Sequence, residues 1–188
     1  MPDSPRDQLL HTAVARASAG GISDLSLRQI ALELDTSHRM LIYHFGSKEG
    51  LLAAISTEVE QQQRDALDAL GADPAVTPVE AALRMWERFA DPALWPLERL
   101  FFDLYAQALQ GKEHLSGFLE TALEPWFAPT IENHVARGMP RDQARALARL
   151  GVATTRGLLL DLLATGDRAG VDAAMRMFLD WYAKSVEV

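Results

Sequence analysis

The stretch SLRQIALELDTSHRMLIYHFGSKE, residues Ser26–Glu49, decides the fold because it reads as two short helices joined by a tight turn. Ser26 followed three residues later by Gln29 has the form of a capping box, in which the hydroxyl satisfies an orphan backbone donor and the amide reaches back to the cap. A helix is therefore expected from Leu27. Its apolar positions Leu27, Ile30, Ala31 and Leu34 recur at helical spacing and leave Arg28, Gln29, Leu32 and Glu33 on other faces. The pattern stops at Asp35. Aspartate is one of the few non-glycine residues that tolerate a left-handed turn, and Thr36 or Ser37 can then cap the next helix. That second helix, His38 to Phe45, needs Leu41 and Phe45, with help from Met40 or Ile42, to dock on the first.

His38, Arg39 and Tyr43 are left over, and their donors, acceptor and aromatic edge suit reading base edges and gripping phosphate. The segment Thr36 to Lys48 holds two cations, two histidines and no acid, in a chain of net charge -8. A polyanion would approach there. Two readings fit such a segment taken alone: a capped helical hairpin with a solvated basic face, or a helix-turn-helix whose second helix enters the DNA major groove.

LSLRQIALEL, the turn, and LIYHFGSKEGLL together resemble the amino-terminal DNA-binding domain of the TetR family of transcriptional regulators. That family shows an Ile-Ala pair in its second helix, a Gly-Val-Ser turn, and Leu-Tyr-x-His-Phe followed by x-Ser-Lys-Glu-x-Leu. Ile30, Ala31, Ser37, Leu41, His44, Phe45, Ser47, Lys48, Glu49 and Leu51 stand at the matching positions with the spacing intact. Asp35, Thr36, Arg39 and Ile42 depart from the pattern, where the family has glycine, valine, a small residue and tyrosine. The resemblance implies phosphate contacts at His44 and Lys48. Arg28, His38, Arg39 and Tyr43 then become the candidates for base or mixed contacts, with Ser37 at the turn.

The 188 residues suffice for one good core or two small ones, and 48% hydrophobic with 23% charged content is ordinary for a soluble globular protein. There is no cysteine, which excludes disulfides, thiolate zinc sites and cysteine nucleophiles. No apolar run approaches the length of a membrane span and the opening MPDSPRDQ carries no hydrophobic signal core, so a cytoplasmic protein with no membrane partner is expected. Residues 1–56 carry net charge -1 and residues 57–188 carry -7, which places the acidic burden away from the proposed DNA face. Histidines 11, 38, 44, 114 and 134 form no pair at metal-ligand spacing, and no glycine-rich phosphate loop or Gly-x-Ser-x-Gly elbow is present. Neither an enzyme nor a bound metal or cofactor is expected.

The remaining signals are helical, and the chain is expected to be all-α. Ser4-Pro5 opens a helix to about Ser18, with Leu9, Leu10, Ala13, Val14 and Ala17 as its buried stripe and Gly20-Gly21 as its end. Ser47 caps a fourth helix from Lys48 to about Leu70, closed by Gly71 and Pro74. Thr77-Pro78-Val79-Glu80 starts a helix to Ala90, and the next runs from Pro92 or Pro96 to Gln110. A region from Leu115 to Arg137 contains Pro125 and Pro129, where a bend or a split is expected. Helices at 140–165 and 171–186 complete the chain. The expected division is a three-helix DNA-binding domain at 1–50 and a larger helical ligand-binding and dimerisation domain at 51–188.

Residues 84–127 concentrate the aromatics, which serve either as ordinary core or as walls of a small-molecule cavity. Resemblance to the family implies the cavity, with Trp86, Phe102, Tyr105, Trp126 and Phe127 as candidate walls and Thr154, Thr155 or Arg156 supplying polarity. The stretch ARALARLGVATTRGLLLDLLA and the final helix are apolar on more than one face, so each is central in a monomer or buried at an interface. The resemblance implies a homodimer through the helices at 140–165 and 171–186, reading a pseudo-palindromic operator in double-stranded DNA. The expected function is a sequence-specific transcriptional repressor released from DNA by a small-molecule effector. The alternative is a helical small-molecule-binding protein whose DNA recognition is lost or altered.

Overall fold

Each helix start that carries a capping signal in the sequence uses it. In the computed structural model, which describes residues 4–73 and 75–186, Ser4, Ser26 and Thr77 form reciprocal capping boxes with Asp7, Gln29 and Glu80. The elements are α1 (Pro5–Gly20), α2 (Leu27–Glu33), α3 (His38–Phe45), α4 (Lys48–Ala72), α5 (Pro78–Phe89), α6 (Trp95–Leu109), α7 (Phe118–Ala136), α8 (Arg141–Thr165) and α9 (Arg168–Val186). Short 3-10 turns at Pro92–Leu94 and Glu113–Leu115 flank α6. No strand occurs among the described residues, so the chain is all-α. Residues 1–3 of the polar opening, and Pro74, expected to close α4, lie outside the described residues.

The chain forms two compact units, Met1–Gln62 with Pro92–Leu119, and Gln63–Asp91 with Glu120–Val188. In the first, α2 packs on α3 and α1 packs on α6, around Leu10, Ala13, Ala17, Ile22, Ile30 and Leu41, all buried. In the second, α9 packs against both α5 and α8. There Phe127, Ile131, Met139, Ala144, Leu147 and Ala148 form a buried cluster.

Of the expected bend or split at Pro125 and Pro129, the split does not occur: α7 is one helix from Phe118 to Ala136 with both prolines inside it. It also begins after a separate 3-10 turn rather than at Leu115. A proline in a helix interior removes a donor and crowds the preceding turn at a cost of about 3 kcal/mol. Ala122, Trp126, Phe127, Ile131 and His134 are all buried along this helix, and each large apolar side chain so buried contributes roughly 1.5–3 kcal/mol. Packing therefore outweighs the local breakers. The last helix starts at Arg168, a turn before the expected Val171, because the Asp167 carboxylate accepts the Gly170 N–H at 2.9 Å and caps it there.

Candidate nucleic-acid interface

The two short helices are joined by a chain turn that only a few residue types accept. Asp35 has φ 49°, the one positive-φ non-glycine among the described residues, and its left-handed backbone lets Thr36 N–H reach the Ala31 carbonyl at 2.9 Å. Ser37 then caps α3 by accepting the Met40 N–H at 3.1 Å. Ile30, Ala31, Leu34 and Leu41 are buried and lock α3 onto α2. Arg16 of α1 pairs with Glu33 at the end of α2 and also donates to the Gly21 carbonyl at 3.2 Å. The first helix thus braces the pair.

Two glycines shape the far end of α3. Gly46 ends the helix at φ 78°, and a Cβ at Gly50 would overlap the Phe45 carbonyl oxygen, so α4 approaches the end of α3 more closely than any side chain would permit. Ser47 caps α4 by accepting the Gly50 N–H at 3.0 Å.

Of the residues expected to meet DNA, Arg28, Ser37, His38, Arg39 and Tyr43 are exposed, while His44 and Lys48 are half-buried. At 100° per residue, Tyr43 lies opposite the inward line of Leu41 and Phe45, with Arg39 beside it. Tyr43 is 78% exposed, and its ring meets the edge of His44 with centroids 4.9 Å apart. The Lys48 ammonium donates to the Ser23 carbonyl at 2.5 Å, which ties the start of α4 to the loop before α2. Sequence reasoning gave Met40 or Ile42 a helping role in docking; each is 40% exposed, and Leu41, fully buried, carries the inward line with Phe45. It also missed Arg6, whose guanidinium sits 5.2 Å from the Phe45 ring centroid. No local pattern announces that contact, since its two residues stand far apart along the chain, in α1 and at the end of α3.

Residues 9–55, which include α2, the turn and α3, match the family model described as bacterial regulatory proteins, tetR family. The chain belongs to the TetR family. It is similar to the HTH-type transcriptional regulator BetI of Cronobacter sakazakii, 26% identical over 172 residues, covering 90% of this chain and 84% of that protein. It is also similar to the HTH-type transcriptional repressor NicS of Pseudomonas putida, 29% identical over 147 residues, 74% of this chain and 68% of that one. Among solved structures, a TetR transcriptional regulator from Legionella pneumophila shares the fold with a TM-score of 0.74 at 18% identity, over 97% of this chain and 99% of that one. This TetR-family chain is therefore a DNA-binding transcriptional regulator, and its relatives are regulators rather than enzymes.

The effector candidates of this TetR-family protein fall into two groups. In the first unit, Phe102 and Tyr105 of α6 are half-buried and both rings lie within 6 Å of Phe101, at 5.4 Å and 5.7 Å. In the second, Trp86 is 2% exposed and its indole N–H donates to Asp172 at 2.7 Å. Arg168 holds the same carboxylate at 2.8 Å and the Ala90 carbonyl at 2.8 Å, so the polar edge of Trp86 serves to fasten α5 to α9. Sequence reasoning overlooked Asp172 and Arg168; their spacing of four on one helix was the available signal. Trp126 lies 5.8 Å from the Phe89 ring and 6.0 Å from the Arg64 guanidinium. Phe127 packs in the buried α7–α8 cluster under Arg149. Thr154 and Thr155 are half-buried on α8, and Arg156 donates to the Ala122 carbonyl at 2.5 Å.

Proposed function

We propose that this regulator is a homodimeric repressor that reads a pseudo-palindromic operator and is released by a small-molecule effector, acting in the cytoplasm. The observation that carries the DNA reading is the outer face of α3, which presents His38, Arg39 and Tyr43 to solvent from a helix locked by Leu41. In this reading residues 1–50 form the DNA-binding domain, with Arg28, Ser37, His44 and Lys48 joining that face. Residues 51–188 bind effector and form the dimer, the candidate effector contacts being Phe102 and Tyr105 in the first unit and, separately, Trp86, Trp126, Phe127 and Thr154 in the second. Repression is supported by similarity to NicS, a repressor by name.

Dimerisation is supported by the exposed stripe Leu150, Ala153, Gly157, Leu160 and Ala164 on α8, a three-four repeat that suits close helix contact. Met177 and Trp181 on α9 are exposed as well, at 75% and 47%. Effector binding lowers operator affinity by the ratio of effector affinities in the two states. The test is selection of bound duplexes from a random library by the purified protein, then operator affinity with and without candidate effectors. A two-fold palindrome is expected; a folded dimer that enriches no duplex would transfer the role to small-molecule binding alone.

A further inference from the structure

Four large apolar side chains stand exposed within the short segment 32–43: Leu32 at 80%, Tyr43 at 78%, and Met40 and Ile42 at 40% each. Three of them belong to α3, where Leu41 is fully buried and Phe45 half-buried on the inward line. The helical repeat sets Tyr43 opposite that line, Arg39 and Met40 on either side of it, and Ile42 on the edge beside His38. The outward face thus combines one guanidinium, one phenol and two aliphatic groups, with no acid anywhere from Thr36 to Lys48. That charge suits a polyanion.

Resting on the proposed DNA reading, we infer that α3 recognises thymine through its C5-methyl group, with Ile42 and Met40 as the apolar contacts. An aliphatic side chain has no donor or acceptor for phosphate or for the polar base edges, and the only apolar feature in the major groove is the thymine methyl. Arg39 beside them is suited to guanine O6 and N7. Eight residues of helix span about 12 Å, or roughly three to four base pairs at about 3.4 Å each. The half-site therefore carries a guanine with thymines within that distance of it.

The experiment uses the full-length protein and the duplex it selects from a random library. Each thymine of the selected half-site is replaced singly by deoxyuridine, which removes the methyl and leaves base pairing intact. At one or two positions the affinity of the unmodified protein falls about fourfold, the scale for leaving one methyl group unburied. In Ile42→Ser or Met40→Ser the corresponding deoxyuridine effect vanishes while thermal unfolding is unchanged. Half-sites without thymine near the guanine, indifference to every deoxyuridine, or full methyl sensitivity in both variants overturns the inference. A change of oligomeric state in those variants without loss of affinity overturns it too, by assigning the face to a second copy. If folded protein enriches no duplex, the DNA reading itself fails; enrichment without a methyl effect removes only the present inference.

Discussion

Lys48 is where one residue is asked to do two things. Its ammonium already holds the Ser23 carbonyl, yet it remains half-exposed at the start of α4, and an ammonium has donors to spare for a phosphate oxygen. Lys48→Ala is expected to weaken binding to all duplexes alike and to reduce the slope of log affinity against log salt by about one. A reduced melting temperature with an unchanged slope would make Lys48 a purely internal fastening. Arg39 presents the opposite case, exposed on the outward face of α3. Arg39→Ala is expected to relax preference at one base position and cost about 1–3 kcal/mol on the preferred site, read by binding to single-substitution duplexes. Position 35 shows how far such residue logic reaches. Asp35 was legible as a left-handed residue from its type and place, and φ 49° agrees, whereas the exposure of Met40 and Ile42 was not legible, because an apolar residue type does not say which side of a short helix is already sealed.

At the scale of elements, α7 joins α9 through a polar pair of one buried and one half-buried side chain: His134 Nε2 and the Tyr182 hydroxyl lie 3.0 Å apart, beside the apolar cluster of α7 and α8. Burial holds the imidazole below its ordinary value of 6.5, with the Arg137 charge acting in the same sense. Burial also pushes the Tyr182 hydroxyl up to about 12, against the smaller opposing influence of Arg137. The contribution from His134 is complete above pH 6.5. As pH falls below that value the unfolded chain binds a proton that the folded chain resists, so stability declines until the folded imidazole also titrates. Urea unfolding of wild type and His134→Gln between pH 7.5 and 5 measures this. The wild type is expected to lose more stability over that interval, and parallel curves would refute the assignment. The same helix carries the two prolines that local rules turn into a break, and only the burial of its neighbours shows why it continues.

At the scale of the whole molecule, the proposed repressor needs two reading heads held at a set separation, so its dimer surface is open to direct test. Met177 is 75% exposed on α9, and a carboxylate introduced there would have to be buried unpaired in the dimer. Met177→Glu is expected to weaken dimerisation at least about tenfold, roughly 1.4 kcal/mol, by sedimentation. Binding to the palindrome should fall with it, while binding to a single half-site should change little. An unaltered dimer would move the interface off α9.

The helix positions other than the starts of α7 and α9, the capped starts, the turn at Asp35 and membership of the TetR family were determined by the sequence itself, since each rests on interactions within a few residues or on spacing along the chain. Tertiary structure alone decided that α7 runs through Pro125 and Pro129, that Trp86 is fastened to Asp172 and Arg168, that Lys48 reaches Ser23, and that His134 meets Tyr182. These depend on which distant side chains share a buried space. Burial sets the balance between a local cost and a packing gain, and neither appears in a run of neighbouring residues.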